Sequence, residues 1–125
     1  MATQVNPTAT STREVFDHHI GALGTGDLDD LMSDYSEESI LIGPDGVVKG
    51  LTGIRQVFEF FLSGLLKPGT YEIGLDKVHV EGEIVYVLWH ANCVGADVTF
   101  AADTFLIRSG KIALQTFAPK LEPHG

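Results

Sequence analysis

The chain lacks the features that mark several common classes of protein. Its only cysteine is Cys93, so no internal disulfide can form. Only 8 basic residues stand against 17 acidic ones, which gives a net charge of −9. The basic residues form no cluster of the kind that binds a phosphate backbone, and no apolar run approaches the roughly 20 residues that cross a bilayer. We therefore expect neither nucleic acid nor a membrane as a partner.

Two further absences concern location and metal binding. Residues 1–10 lack the basic start and the apolar core of a secretory signal, so we expect a cytoplasmic protein. No group of His and Cys residues has the spacing of a zinc site. The acidic residues between Asp27 and Glu38 favour a helix start and a solvated face. The sequence therefore predicts no metal and no cofactor.

The first half of the chain carries the signals of three helices. Residues 1–10 have the composition of a flexible polar tail, and residues 11–14 fit a capping box that would start the first helix. His19 lies within the apolar stripe of that helix. Asp27 is a good N-cap for a short second helix. A third helix is predicted over residues 52–65, whose apolar positions keep the helical period.

The second half of the chain is typical of β-strands. After a short strand at 40–42, long strand-like runs occupy 71–81, 83–94, 98–108 and 111–121. The connections between the long runs are short, which favours antiparallel hairpins. Helices come first and strands last, so the predicted class is α+β. Residues 11–125 are predicted to form a single domain.

Asp103 is the most informative residue because it lies near the middle of an apolar strand. An ionised carboxylate among apolar neighbours is costly unless it is paired, hydrogen-bonded or protonated. Two explanations are open: a pocket acid or hydrogen-bond donor, and a structural carboxylate tied to the backbone. We favour the pocket acid.

The neighbours of Asp103 depend on the register of one hairpin. If residues 95–96 form a two-residue loop, Asp103 lies opposite Leu88 and diagonal to His90. Successive side chains of a strand point to opposite faces of the sheet, so six residues would then share the inward face: Tyr86, Leu88, His90, Ala101, Asp103 and Phe105. Trp89 would lie on the opposite, outer face. We predict that this outer face, including Trp89, forms the interface of a homodimer.

Four short segments carry a resemblance to a known family. They are ALGTGDLD at 22–29, KGLTGIR at 49–55, DTF at 103–105 and GKI at 110–112. In this order and spacing the chain resembles, over about residues 12–121, the nuclear transport factor 2-like superfamily, in particular its SnoaL-like and ketosteroid-isomerase-like members. The resemblance implies N-terminal helices packed on a curved, mainly antiparallel sheet of the cystatin-like cone-roll type. It also implies a pocket for a small apolar ligand, and usually a homodimer packed through the sheet.

The resemblance also implies roles for individual residues. Asp103 matches an acid of the isomerases that stays neutral and donates a hydrogen bond to an oxyanion. Ketosteroid isomerase is itself a standard worked case of this effect. His19 matches the tyrosine that shares the oxyanion. Pocket aromatic residues match Tyr35 and Phe58. Gly43 occupies the position of the isomerases' proton-shuttling aspartate, so that base is missing.

Three residues are therefore predicted to be catalytic: Asp103, His19 and His90. The predicted ligand-binding residues are Tyr35, Phe58, Tyr86, Leu88, Phe105 and Phe16. The expected activity is isomerase, cyclase or lyase chemistry on a polyketide-like or steroid-like carbonyl compound, with Asp103 as general acid/base. The alternative is a non-catalytic ligand-binding or dimerisation module, which the glycine at position 43 favours.

Overall fold

One six-stranded sheet is the largest element of the fold, and the helices cover one of its faces. The computed structural model describes residues 7–125. In chain order the elements are α1 (Pro7–Thr25), α2 (Leu28–Met32), β1 (Ile40–Gly43), β2 (Gly46–Lys49), α3 (Gly50–Leu62), β3 (Glu72–Glu81), β4 (Ile84–Asn92), β5 (Ala96–Arg108) and β6 (Lys111–Pro123). The six strands form one sheet in the order β2-β1-β6-β5-β4-β3. Only β1 and β6 pair in parallel. The predicted α+β class with a curved, mainly antiparallel sheet is confirmed.

The sheet is curved because several β-bulges interrupt its ladders. The register shifts between Leu75 and Lys77 in β3, and between Trp89 and Ala91 in β4. A third shift lies at the start of β6, beside Leu106 of β5. Each bulge adds an unpaired residue, which bends the strand and increases its twist. The inner, concave face receives α1 over β3, β4 and β5, and α3 over β1 and β2.

Two turns show how local sequence ends the elements. At the end of α1, Gly26 adopts φ 73° and its N–H donates to the carbonyl of Ala22 at 3.0 Å. This left-handed position after a helix suits a residue without a Cβ. Between β5 and β6, Ser109 and Gly110 have φ of 54° and 77°. Two positive values in succession are typical of the type I′ turn of a tight hairpin.

The structure corrects the predicted helix starts and adds one strand. Helix α1 begins at Pro7, so the capping box at residues 11–14 is wrong and residues 7–10 are not a tail. The rest of the predicted tail, residues 1–6, lies outside the described residues. Helix α3 begins at Gly50 and ends at Leu62. Strand β2 was not predicted, because four residues with only two large apolar side chains give a weak strand signal.

The predicted pairing of β4 with β5 is also wrong by one residue. Asp103 lies opposite Val87 rather than Leu88. Trp89 consequently points to the inner face, where it is 8% exposed, and it is absent from the outer face predicted for the dimer. The outer face instead exposes Ile84, Tyr86 and Phe100. Dimerisation through this face stays a prediction.

None of the helices within residues 7–125 is long and apolar enough to cross a bilayer.

A matched pair of glycine variants tests the packing at the end of α1. A Cβ at Gly26 would lie 2.3 Å from Cγ of Pro68, and the backbone there has a positive φ. We expect Gly26→Ala to lower the free energy of unfolding by at least about 2 kcal/mol, from strain and overpacking together. Gly21 lies within α1, and a Cβ there would meet nothing within 4 Å. Gly21→Ala should therefore raise the free energy of unfolding by about 1 kcal/mol. Urea unfolding measures both, and equal midpoints would contradict this account of the turn.

Candidate functional site

Asp103 lies on the inner face of β5 and accepts hydrogen bonds from both flanking strands. It is 5% exposed. Its Oδ1 accepts from Nε1 of Trp89 in β4 at 3.0 Å, and its Oδ2 accepts from Nε2 of Gln115 in β6 at 3.1 Å. Both donors are diagonal neighbours, because Asp103 itself lies opposite Val87 and Phe117. The described partners of the carboxyl group are therefore side chains of neighbouring strands rather than the backbone.

Burial sets the ionisation of this carboxyl group. Removal from water raises the pKa of Asp103 from 3.8 to about 6, while the hydrogen bonds from Trp89 and Gln115 oppose the rise. Desolvation disfavours the charged form, and donors to that form favour it. Desolvation is the larger effect here. Both protonation states are therefore populated near neutral pH.

Gln115 links Asp103 to Tyr35. Burial raises the pKa of Tyr35 well above its usual value, so its hydroxyl keeps its proton. That hydroxyl donates a hydrogen bond to Oε1 of Gln115. With Oε1 so occupied, the amide turns its NH₂ group towards Asp103. The order Tyr35, Gln115, Asp103 is therefore a directed chain of hydrogen bonds within the core.

Beside this chain lies a mainly apolar cavity between the sheet and the helices. Its volume is about 70 Å³. This is several times the roughly 10–15 Å³ that one water molecule needs. The described residues that line it are His19, Ile20, Leu23, Leu41, Val57, Phe58, Phe61, Leu65, Leu66, Ile73, Leu75, Val87, Trp89, Val98, Asp103, Phe105, Gln115 and Phe117. Asp103 is the only acid among them. Ile73 and Leu75, on the edge strand β3, are 36% and 41% exposed, so the cavity reaches solvent there.

His19 forms part of the helical side of the cavity wall. It is 2% exposed, and its ring packs edge-on against Tyr35, Phe58 and Phe105 at centroid distances of 6.0, 5.9 and 5.2 Å. Burial lowers its pKa from 6.5 to about 4, so the imidazole is neutral at neutral pH. Among the described residues, none is a hydrogen-bond partner of its Nδ1. A buried polar atom left in this state typically costs about 1–3 kcal/mol.

The other predicted pocket residues fall into two groups. Phe58 and Phe105 line the cavity with Asp103 and His19. Tyr35 and Phe16 are buried behind the wall, Tyr35 against Gln115 and Phe16 against the ring of Phe105 at 5.5 Å. Both support the cavity wall rather than line it.

The predicted inward placement of His90, Tyr86 and Leu88 is wrong. The shift in register puts all three on the outer face of β4. There the Nδ1 of His90 pairs with Asp76 at 2.9 Å. Tyr86 stacks on His79 with ring centroids 6.3 Å apart. These residues cannot reach the cavity, because the backbone of β4 lies between.

Gly43 lies at the end of β1, outside the wall of the Asp103 cavity. It and Asp45 line a neighbouring groove of about 190 Å³. The two spaces share Leu41, Val57, Phe61 and Phe117 as walls. Asp45 is exposed in the turn between β1 and β2. Within residues 7–125, no group of three or more His, Cys, Asp or Glu side chains is placed to hold a metal ion.

Gln115 was missed by the sequence reasoning, and its contribution can be measured. We expect Gln115→Met, which keeps the volume but removes the donor, to raise the pKa of Asp103 by about one unit, since a hydrogen bond to a charged group contributes about 1.5–3 kcal/mol. A pH titration of the fluorescence of Trp89, the only tryptophan, reports this pKa through the hydrogen bond to Asp103.

The control for this variant is Tyr35→Phe, which leaves both direct donors to Asp103 in place. It should move the titration midpoint less than Gln115→Met does. An unchanged midpoint in Gln115→Met would mean that the amide does not stabilise the carboxylate.

Three comparisons with known proteins bear on this arrangement. A family model described as a SnoaL-like domain matches residues 16–115. Among curated proteins, none matches the chain. Among solved structures, a candidate ketosteroid isomerase from Kribbella flavida has a TM-score of 0.74 at 11% identity, covering 93% of this chain and 82% of that one.

Two further solved structures have the same architecture. An NTF2-like protein of unknown function from Cytophaga hutchinsonii has a TM-score of 0.72 at 20% identity, covering 96% of this chain and 95% of that one. A candidate SnoaL-like polyketide cyclase from Shewanella putrefaciens has a TM-score of 0.69 at 15% identity, covering 95% and 91%. At such identities the likeness shows a common fold alone.

Proposed function

Because the chain belongs to the SnoaL-like family, we propose that it binds a small, largely apolar carbonyl compound in its cavity and that Asp103 acts on the carbonyl group by acid/base chemistry. The observation that carries the proposal is the state of Asp103. It is the only acid among the described residues of an apolar cavity wall, and its pKa of about 6 leaves both protonation states available.

A carbonyl oxygen is the partner that a protonated Asp103 lacks. Its carboxyl group is hydrogen-bonded to Nε1 of Trp89 and Nε2 of Gln115, and both nitrogens are donors. When the carboxyl group is protonated, its O–H needs an acceptor that neither nitrogen can supply. A ligand carbonyl in the cavity supplies one. The apolar remainder of the wall suits the hydrocarbon part of such a ligand.

The same group can move a proton to and from carbon. In its ionised form Asp103 takes the proton from the carbon next to the carbonyl, and the electron pair of that C–H bond passes to the carbonyl oxygen as an enolate forms. Return of the proton to a different carbon completes an isomerisation. Alternatively, the enolate carbon attacks a second carbonyl of the same molecule, and the alkoxide that forms takes the proton from Asp103, which completes a cyclisation. Gly43 offers no second base, so Asp103 must serve in both states.

Binding is tested with ligands that differ only at the reacting atom. Cyclohexanone and decalone carry a carbonyl oxygen where methylenecyclohexane and methylenedecalin carry a CH₂ group. Below pH 6 we expect the ketones to bind about tenfold more tightly, the value of one hydrogen bond of about 1.4 kcal/mol. The preference should fall as the pH rises through the pKa of Asp103. Equal affinities at every pH would overturn the proposed contact.

Catalysis is tested without knowledge of the natural substrate. In D₂O, enolisation of a bound ketone replaces its α-hydrogens by deuterium, which NMR detects. Exchange faster than in buffer supports the acid/base role of Asp103. Tight binding without exchange supports the second candidate function, a non-catalytic binding module, which the glycine at position 43 favours.

A further inference from the structure

His19 is the one buried polar group in the cavity wall whose placement the proposed function does not explain. It lies on α1, whereas Asp103 lies on β5, so the two bound the cavity from facing layers. Asp103, Gln115 and Tyr35 satisfy one another, but Nδ1 of His19 has no partner among the residues that the structure describes. Buried side-chain nitrogens and oxygens in native proteins nearly always have one.

Within residues 7–125, the surroundings of His19 supply no partner for its Nδ1. Three aromatic rings, Tyr35, Phe58 and Phe105, pack edge-on around the imidazole. Of these three rings only Tyr35 carries a hydroxyl, and that hydroxyl donates to Gln115. A phenylalanine would fill such a ring cluster without an unsatisfied nitrogen. The histidine therefore has a use that packing alone does not give.

We propose that His19 hydrogen-bonds a second oxygen of the ligand, so that the ligand is a hydroxyketone or diketone rather than a simple ketone. This inference rests on the proposed function, because it assigns the first oxygen to Asp103. The ligand then spans the cavity from the sheet to α1, with one oxygen at each polar wall.

The chemistry of a neutral imidazole fits a hydroxyl or a carbonyl oxygen. One ring nitrogen carries a proton and donates, and the other accepts. A hydroxyl group can satisfy either nitrogen, and a carbonyl oxygen satisfies the protonated one. Rotation of the ring by half a turn about Cβ–Cγ exchanges the position of Nδ1 with that of a carbon, so either nitrogen can be presented to the ligand. Burial holds the imidazole neutral, which keeps the acceptor available.

The test compares decalone with a set of isomeric hydroxydecalones in each of three proteins. The proteins are the wild type, His19→Phe and His18→Gln. In the wild type we expect at least one hydroxyl isomer to bind about tenfold more tightly than decalone. In His19→Phe that gain should disappear. Because the readout is the ratio of two affinities within one protein, a general loss of affinity cancels.

His18→Gln is the matched control, because His18 adjoins His19 in sequence but faces Asp34 and Asp30 at 2.7 and 2.9 Å. It should keep the hydroxyl gain. If His19→Phe does not fold, NMR of the wild type with ¹⁵N-labelled histidine still tests the contact between His19 and the ligand. The imidazole nitrogen chemical shifts of His19 should move on binding the hydroxydecalone and not on binding decalone.

The outcomes separate this inference from the proposed function. A hydroxyl gain that persists in His19→Phe, or the absence of any gain in the wild type, overturns the second contact and leaves the Asp103 contact standing. If decalone binds no better than methylenedecalin at any pH, the proposed function itself fails.

Discussion

Asp103→Asn is expected to slow deuterium exchange into a bound ketone by at least about 100-fold, the usual minimum contribution of a positioned general acid or base. The amide has nearly the volume of the carboxyl group and can still accept one of the hydrogen bonds from Trp89 and Gln115. It can neither take a proton from carbon at neutral pH nor return one to it. NMR of the ketone in D₂O measures the rate, and circular dichroism checks that the variant is folded.

Asp45→Asn is the matched control for this prediction. Asp45 is the acid closest in sequence to Gly43, the position of the missing base, but it is exposed in the turn between β1 and β2. It should exchange deuterium at the wild-type rate. If Asp45→Asn loses the exchange and Asp103→Asn keeps it, the chemistry belongs to the groove beside Gly43 and the assignment of Asp103 is wrong.

The alternation of side chains between the two faces of β5 could be predicted from the sequence. The neighbours of Asp103 on the adjacent strands could not. An apolar strand with one carboxylate required an explanation, and the inward position of Asp103 follows from its own strand. Its partners depend on β4. The predicted two-residue loop at 95–96 places His90 diagonal to Asp103, whereas Asn92 pairs with Asp97 and a bulge follows next to Trp89. One step in register replaces a histidine by a tryptophan.

Gln115 reaches the site through a second bulge. The turn at Ser109 and Gly110 pairs Arg108 with Lys111, and a regular ladder from there would set Gln115 opposite Thr104, on the outer face. The register instead shifts before Leu114, so Gln115 lies opposite Phe105 and points inward. Such bulges accompany the curvature of the whole sheet, and the local sequence of β6 does not show them.

The resemblance predicted the lining of the cavity better than the strand geometry did. It pointed to Asp103, His19, Phe58 and Tyr35; the first three lie in one cavity wall, and Tyr35 lies behind it. Matching by order along the chain does not depend on the register of a single hairpin. It could not have indicated Gln115, because that contact depends on how β5 and β6 pair in this chain.

The second large effect expected is a loss of stability as the pH rises, caused by Asp103. Its pKa is about 6 when folded and 3.8 as the reference value for an exposed group. Between these values the folded state binds more protons than the unfolded state, so the free energy of unfolding falls with rising pH. The loss begins near pH 4 and is complete just above pH 6. A shift of about two units corresponds to about 3 kcal/mol.

The difference between wild type and Asp103→Asn isolates this contribution, because other titrating groups such as His18 affect both proteins alike. Urea unfolding at intervals from pH 4 to pH 8 should show the variant gaining stability relative to the wild type by up to about 3 kcal/mol, with the change centred between pH 4 and pH 6. The residue that is proposed to act on the ligand would then destabilise the fold at neutral pH. Such a trade-off between stability and activity is common at functional sites. A constant difference across the range would show that the carboxyl group is not desolvated, and the basis for its chemistry would be lost.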